Sequence, residues 1–341
     1  MKLIASLMRG AAVAWPENID AAEFLRSADA HGATPLIAWQ LRRHPEMQVP
    51  PEIAAKLESS ARAMTSLDVV RRHGVDELLA RFADERIPLL VIKGAALART
   101  HYAHSSLRPR CDVDLFIDRQ SLKRVANVLR EAGFHEESGS GGELISRQRM
   151  WVRIDAMGVR HCVDLHWALS NRQRYAEVFS FAELWSRGVV LCGSDVRMPS
   201  PCDALLIAAM HLAGHHRGNE RLIWLYDIHL LHGAIAPEEL QAMALAARER
   251  NLDLPLDSAI ALALRWFGDG HDDEAPMEKP SDLDELVDDL RFTPGVRRKL
   301  RLVREHLFPP AAYVMEKYGA RSRAALPALY VRRAAAWLLR H

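Results

Sequence analysis

Residues 112–117, Asp112-Val113-Asp114-Leu115-Phe116-Ile117, set two carboxylates inside an apolar run. In a strand, residues i and i+2 point to one face. The run therefore predicts a strand with Asp112 and Asp114 side by side and an apolar underside. Adjacent carboxylates repel each other, and holding both ionised is costly unless a cation lies beside them. Oxygen-only ligands suit Mg²⁺ or Mn²⁺ rather than Zn²⁺. Val163-Asp164-Leu165-His166-Trp167 repeats the acid-between-apolars pattern. Asp164 is thus the candidate third metal ligand. His166 faces away from Asp164's chain neighbours and reads as a group supporting the acids. An isolated Asp-x-Asp pair also reads as a solvent-facing strand end, so the order of the elements around it decides.

That order is mixed. The segment Pro51 to Ala83 has no internal proline and repeats Ile53, Leu57, Ala61, Met64, Leu67, Val70 and Leu78 at helical spacing, which predicts a long amphipathic helix. At Pro88 the period changes. Leu89-Leu90-Val91-Ile92 is a short apolar run of buried-strand type that ends at Lys93-Gly94, with a helix expected from Ala95 to Tyr102. The turn's backbone N–H groups and the Lys93 charge suit phosphate oxygens. A polar loop carrying Arg108 and Arg110 precedes the acidic strand. After it, Leu122, Val125, Val128 and Leu129 predict a helix that stops at Gly133. Residues 136–146 read as a Gly/Ser-rich loop. Strands are expected at 150–154 and 159–167, with no helix between them. The expectation is an α/β (α+β) fold with a small mixed sheet, not a doubly wound one. Helices dominate from 176 onward, and 268–282 reads as an exposed loop. The domain expectation is a helical region at 1–85, a catalytic core at 86–195 and a helical domain at 196–341.

Composition sets limits. With Lys+Arg at 45 and Asp+Glu at 44, the chain lacks the basic excess of a long-nucleic-acid binder. Cys111, Cys162, Cys192 and Cys202 show neither zinc-knuckle nor redox spacing, so free buried thiols in a reducing cytoplasm are expected. The opening MKLIASLMRGAAVAW has a short apolar stretch broken by Arg9, and no segment approaches the ~20 apolar residues of a membrane span. A cytoplasmic location with no membrane span follows as the expectation.

Strand, Gly-containing turn into a helix, Asp-x-Asp strand and later acidic strand together resemble the polymerase-beta-like nucleotidyltransferase superfamily. Lys93-Gly94, Asp112/Asp114 and Asp164 match in that order. The superfamily usually has Gly-Ser at the turn; here Lys-Gly is followed by Ala95, and the serine that would touch the triphosphate is missing. A closer resemblance is to a bacterial family labelled uncharacterised nucleotidyltransferase. It rests on Ile92 to Leu97, Tyr102, Leu107 to Leu115, Asp164 to Trp167, and His211-Leu212-Ala213-Gly214-His215-His216 followed by Arg221 to Ile228. It is strong over about 90–230 and weak in the flanks. The resemblance implies transfer of a nucleotidyl group from an NTP to a small-molecule, peptide or protein acceptor. Asp112, Asp114 and Asp164 would then be catalytic and metal-binding. Lys93, Gly94, Arg108, Arg110, His211, His215, Arg221, Trp224 and Asp227 would contact substrate, the last five from helices closing over the sheet.

His211 and His215 lie one helical turn apart, a zinc-compatible spacing, but no third ligand at metalloenzyme spacing accompanies them. Trp224 taken alone reads first as core packing. The basic stretches 297–304 and 332–340 read as solvated faces, with a polyanion, membrane surface or partner helix as alternatives. Two other functions stay open: sugar or phosphate transfer on the same fold, and a non-catalytic, toxin-like or partner-binding module.

Overall fold

A computed structural model describes residues 1–137, 139, 141–191, 196–268, 280–320 and 322–338. Cys192, and most of the loop expected at 268–282, lie outside the described residues. The chain opens with α1 (Lys2–Met8), α2 (Ala21–Ala30), α3 (Thr34–Arg43) and α4 (Pro51–Asp84). The sheet region follows: β1 (Leu89–Ile92), α5 (Lys93–Thr100), β2 (Val113–Ile117), α6 (Leu122–Glu131), β3 (His135–Glu136), β4 (Gln148–Ile154), β5 (Arg160–His166), α7 (Gln173–Ala176), α8 (Phe181–Arg187), β6 (Val189–Val190) and β7 (Arg197–Met198). Helices complete the described chain: α9 (Pro201–His215), α10 (Leu222–Ala234), α11 (Pro237–Glu249), α12 (Asp253–Phe267), α13 (Asp282–Phe292), α14 (Val296–Leu307), α15 (Ala311–Lys317) and α16 (Leu326–Leu338). Among the described residues, no helix is long and apolar enough to cross a membrane.

The seven strands form one mixed sheet in the order β3-β4-β5-β2-β1-β7-β6. β2 runs antiparallel to β1 and parallel to β5, and β4 and β5 form an antiparallel pair with no helix between them. The short strands β3, β6 and β7 were not legible, because two residues carry no period.

Period-2 alternation sorts the side chains into two cores. Leu89, Val91, Val113, Leu115, Ile117, Val163 and Leu165 pack with Leu78, Leu79 and Phe82 of α4 and with Val125 and Leu129 of α6. Leu90, Ile92 and Phe116 face the other way, into a larger cluster with α1–α3 and α9–α12. By the same alternation, Asp114 and Asp164 stand on that second face. The long helix α4 serves both cores, with Ile53, Leu57 and Ala61 in one and Leu78, Leu79 and Phe82 in the other. Its middle therefore emerges into solvent. Leu67 is 36% exposed, Met64 and Val70 are half-buried, and the apolar stripe expected there is interrupted. The cysteines also depart from expectation: Cys111 is exposed, while Cys162 and Cys202 are half-buried and free.

α4 crosses β5 at Gly74. A Cβ there would lie 2.6 Å from His161 and 3.0 Å from Arg153. His161 is buried, and its Nε2 is held 2.9 Å from an Asp155 oxygen, so the ring has nowhere to retreat. Alanine normally gains about 1 kcal/mol over glycine inside a helix. At this crossing, overpacking costs about 1–3 kcal/mol and reverses the sign. Gly74→Ala is therefore expected to lower the urea midpoint; a raised midpoint would contradict the close crossing.

Candidate active site

Strand register builds the centre of the site. Ile92 at the end of β1 lies opposite Asp114 of β2, and Asp114 lies beside Asp164 of β5. Three adjacent strands thus deliver the lysine turn and two acids at one level. Asp112 immediately precedes β2 and lines the same cavity as Asp114 and Asp164. The helix after β1 starts at Lys93, two residues earlier than expected. Lys93 makes the turn by itself, with φ +54°.

The cavity measures about 580 Å³, a size suited to a nucleotide-scale ligand. All twelve residues singled out in the sequence line it: Asp112, Asp114, Asp164, Lys93, Gly94, Arg108, Arg110, His211, His215, Arg221, Trp224 and Asp227. Its roof is α9 and α10, whose Met210, Leu212, Ile223 and Leu225 are anchored in the larger core.

Asp114 is heavily engaged. Lys93 Nζ donates to its Oδ1 at 2.7 Å, and His166 Nε2 lies 2.9 Å from the same oxygen. Burial pushes this carboxyl up, but Lys93 and His166 outweigh it and hold the group well below the usual carboxylate range. His166 is itself raised: burial and Lys93 oppose its charge, and Asp164 and Asp114 together overcome them. Asp112 goes the other way, raised first by burial and then by the charges of Asp114 and Asp164. Asp164 Oδ2 accepts from Gln148 Nε2 at 2.7 Å, while its Oδ1 is buried with no hydrogen-bond partner. Among the described residues, Asp114, Asp164 and His166 form the one cluster of metal-ligating type, with ligand atoms within 4.8 Å of one another. Acidic oxygens, one of them buried and unsatisfied, fit a hard divalent cation. His211 and His215 join no such cluster among the described residues.

The arginines are spent more fully than expected. Arg108 donates through Nε and Nη2 to Asp227 at 3.0 and 2.7 Å, and through Nη1 to the Pro109 carbonyl at 2.9 Å. Tyr102 donates its hydroxyl proton to the same aspartate at 2.7 Å. Arg110 pairs with Asp68 of α4 at 3.0 Å. Arg108 and Arg110 therefore brace the loop before Asp112. The Arg108 guanidinium also lies about 3.0 Å from where a Gly94 Cβ would stand. A side chain at 94 would press on that plane, which its bonds to Asp227 hold in place.

On the roof, His216 and Trp224 have ring centroids 4.0 Å apart, and the Arg221 guanidinium lies 5.4 Å from the Trp224 ring. Arg221 is tied to α2 by a bond from Nε to the Ala30 carbonyl at 2.7 Å. His215 Nε2 lies 2.9 Å from Ser170 Oγ. His215, open to cavity solvent but walled by protein, is held at about 3, and His216 at about 4. Burial is the larger cause in each, followed by the Lys93 charge; His211 is lowered well below its usual value for the same reasons. The three roof histidines are therefore neutral near pH 7, which leaves Arg221 as a roof cation. Sequence reasoning missed Gln148, Ser170 and His216 as lining residues. His216 stands in the quoted His211–His216 run and was within reach. Gln148 reaches Asp164 across a hairpin register that no local pattern reveals.

The family model described as uncharacterised nucleotidyltransferase matches residues 17–268. No curated protein matches the chain. Among solved structures, the solution structure of the antibiotic-resistance factor ANT(2″)-Ia is similar at 16% identity, covering 56% of this chain and 98% of that one with a TM-score of 0.40. The crystal structure of ANT(2″)-Ia in complex with adenylyl-2″-tobramycin is similar at 17% identity, covering 55% and 99% with a TM-score of 0.38.

Proposed function

The chain belongs to the uncharacterised nucleotidyltransferase family, and on that premise we propose that it moves a nucleotidyl group from an NTP to a hydroxyl of a small-molecule, peptide or protein acceptor. The observation that carries the reading is the register of Asp114 against Asp164, with Asp112 on the same cavity and Asp164 Oδ1 buried without a partner. Asp112, Asp114 and Asp164 would hold Mg²⁺ or Mn²⁺. When bound, the ion supplies Lewis-acid neutralisation of the phosphate charge. Asp164 would also take the acceptor hydroxyl's proton. That oxygen then bonds to the α-phosphorus, and the bond to the bridging oxygen breaks with pyrophosphate keeping the electron pair.

Lys93 and Arg221 line the cavity as cations whose hydrogen bonds leave donors to spare for phosphates. Arg108 positions them indirectly, since its fork is committed to Asp227. His166 and Gln148 orient the carboxylates. The neutral histidines and Trp224 offer hydrogen bonds and an aromatic face without adding charge.

Titration calorimetry with each of the four common NTPs, with and without Mn²⁺, tests this directly. At least one NTP is expected to bind only with Mn²⁺, and Asp164→Asn to weaken that binding by about tenfold or more. Metal-independent binding, or binding of a nucleotide-sugar and no NTP, would overturn it.

A further inference from the structure

Three non-glycine residues among those described have a left-handed backbone: Arg86, Lys93 and Asn251. Arg86 and Asn251 follow the ends of α4 and α11, where a left-handed residue commonly stops a helix. Lys93 instead opens a helix directly from a strand. That conformation costs a residue with a Cβ about 1 kcal/mol or more. The bend directs the side chain across the sheet to Asp114 Oδ1 at 2.7 Å, where the lysine side chain is 18% exposed. The capped Oδ1 belongs to Asp114, one of the three residues of the ligating-type cluster with Asp164 and His166. An ammonium and a divalent ion cannot share it without strong repulsion. Lysine is suited to leave, because its ammonium swings on a flexible four-carbon stem while the backbone stays fixed.

We propose that Lys93 is an internal counter-cation that caps Asp114, yields that oxygen to a divalent ion, and carries its charge onto the phosphates of the nucleotide, so that ion and nucleotide bind as a coupled pair. This rests on the function proposed above. The capped state removes the Asp114 half of the carboxylate repulsion, and the handover reuses the same charge where phosphate charge accumulates. By reciprocity, whatever factor the ion adds to nucleotide affinity the nucleotide adds to ion affinity. The Lys93-Gly turn, in place of Gly-Ser, thereby acquires a role that a serine hydroxyl cannot perform.

The test is Mn²⁺ titration calorimetry on the full chain, wild type against Lys93→Met, first with Mn²⁺ alone and then with Mn²⁺ and ATP. Lys93→Gln serves as a second variant, and circular dichroism verifies folding. Without nucleotide, Lys93→Met is expected to bind Mn²⁺ about tenfold more tightly than wild type, because its competitor is gone. It should also lose most of the gain in Mn²⁺ affinity that ATP gives wild type. Equal or weaker Mn²⁺ binding in both folded variants overturns the proposal. Loss of wild-type Mn²⁺ binding in Asp164→Asn checks the underlying site separately, so the counter-cation can fail while the site stands. Absence of Mn²⁺ binding in every protein overturns both.

Discussion

Arg108→Ala is expected to lower the free energy of unfolding by about 3–5 kcal/mol, the cost of leaving a buried carboxylate without its cation. Arg108 and Asp227 are 6% and 5% exposed, and their contact is bidentate, Nε reaching Oδ1 at 3.1 Å and Nη2 reaching Oδ2 at 2.7 Å. Among the described residues, removing the guanidinium leaves Asp227 the Tyr102 hydroxyl as its side-chain hydrogen bond. The same change withdraws the plane packed on Gly94 and the bond to the Pro109 carbonyl, so the loop before Asp112 loses its brace. Arg108→Lys should fall between, since an ammonium cannot reproduce the fork. The double variant Arg108→Met/Asp227→Leu should recover most of the stability, because a buried pair replaced by apolar groups is often neutral. Tyr102 then loses its acceptor, so recovery stays incomplete. Urea unfolding of the four proteins decides the matter. A loss below about 1 kcal/mol in Arg108→Ala would mean that the pair is solvated and does not brace the site.

Much of this arrangement was legible because it is periodic or local. Alternation gave both acidic strands and the shared face of Asp112 and Asp114, and helical spacing gave α4 and α6 with useful bounds. The 34-residue α4 shows where a local pattern stops informing. Its ends are buried in different cores, and its middle meets the polar loop before Asp112 through Asp68 and Arg71 instead of an apolar core. Partners distant in the chain were invisible. Arg108 and Asp227 lie 119 residues apart, and a basic loop residue before two acids looks like a phosphate ligand until its fork is found occupied. Lys93 was likewise assigned to phosphate, and its bond to Asp114 depends on a left-handed turn that a lysine does not announce. Gln148 becomes a partner of Asp164 only through hairpin register.

Asp112→Asn is the second change with a large expected effect, and it separates stability from function. No side chain among the described residues hydrogen-bonds Asp112, unlike Asp114, whose removal would strand Lys93. Burial and then the neighbouring charges of Asp114 and Asp164 raise the Asp112 carboxyl. An acid raised by folding destabilises the folded state once it ionises, so its charge is a net cost at neutral pH and the amide removes that cost. Catalytically the sign reverses. A divalent ion supplies several kcal/mol of charge stabilisation in the transition state, and each 1.36 kcal/mol is tenfold in rate. Loss of a ligand is thus expected to cut nucleotidyl transfer by about 10³-fold.

The most direct measurement is a set of four thermal melts at pH 7.5: wild type and Asp112→Asn, each with EDTA and with Mn²⁺ plus the NTP that binds. Ligand at a hundred times its Kd adds about 2.7 kcal/mol, or roughly 5 °C, to wild type. If the three aspartates form a divalent-cation site, Asp112→Asn melts above wild type in EDTA and gains little from Mn²⁺ and NTP, so the order of the two proteins inverts. Should Asp112→Asn melt below wild type in EDTA, or rise with Mn²⁺ and NTP as wild type does, Asp112 is a structural residue and the metal site is not where we place it.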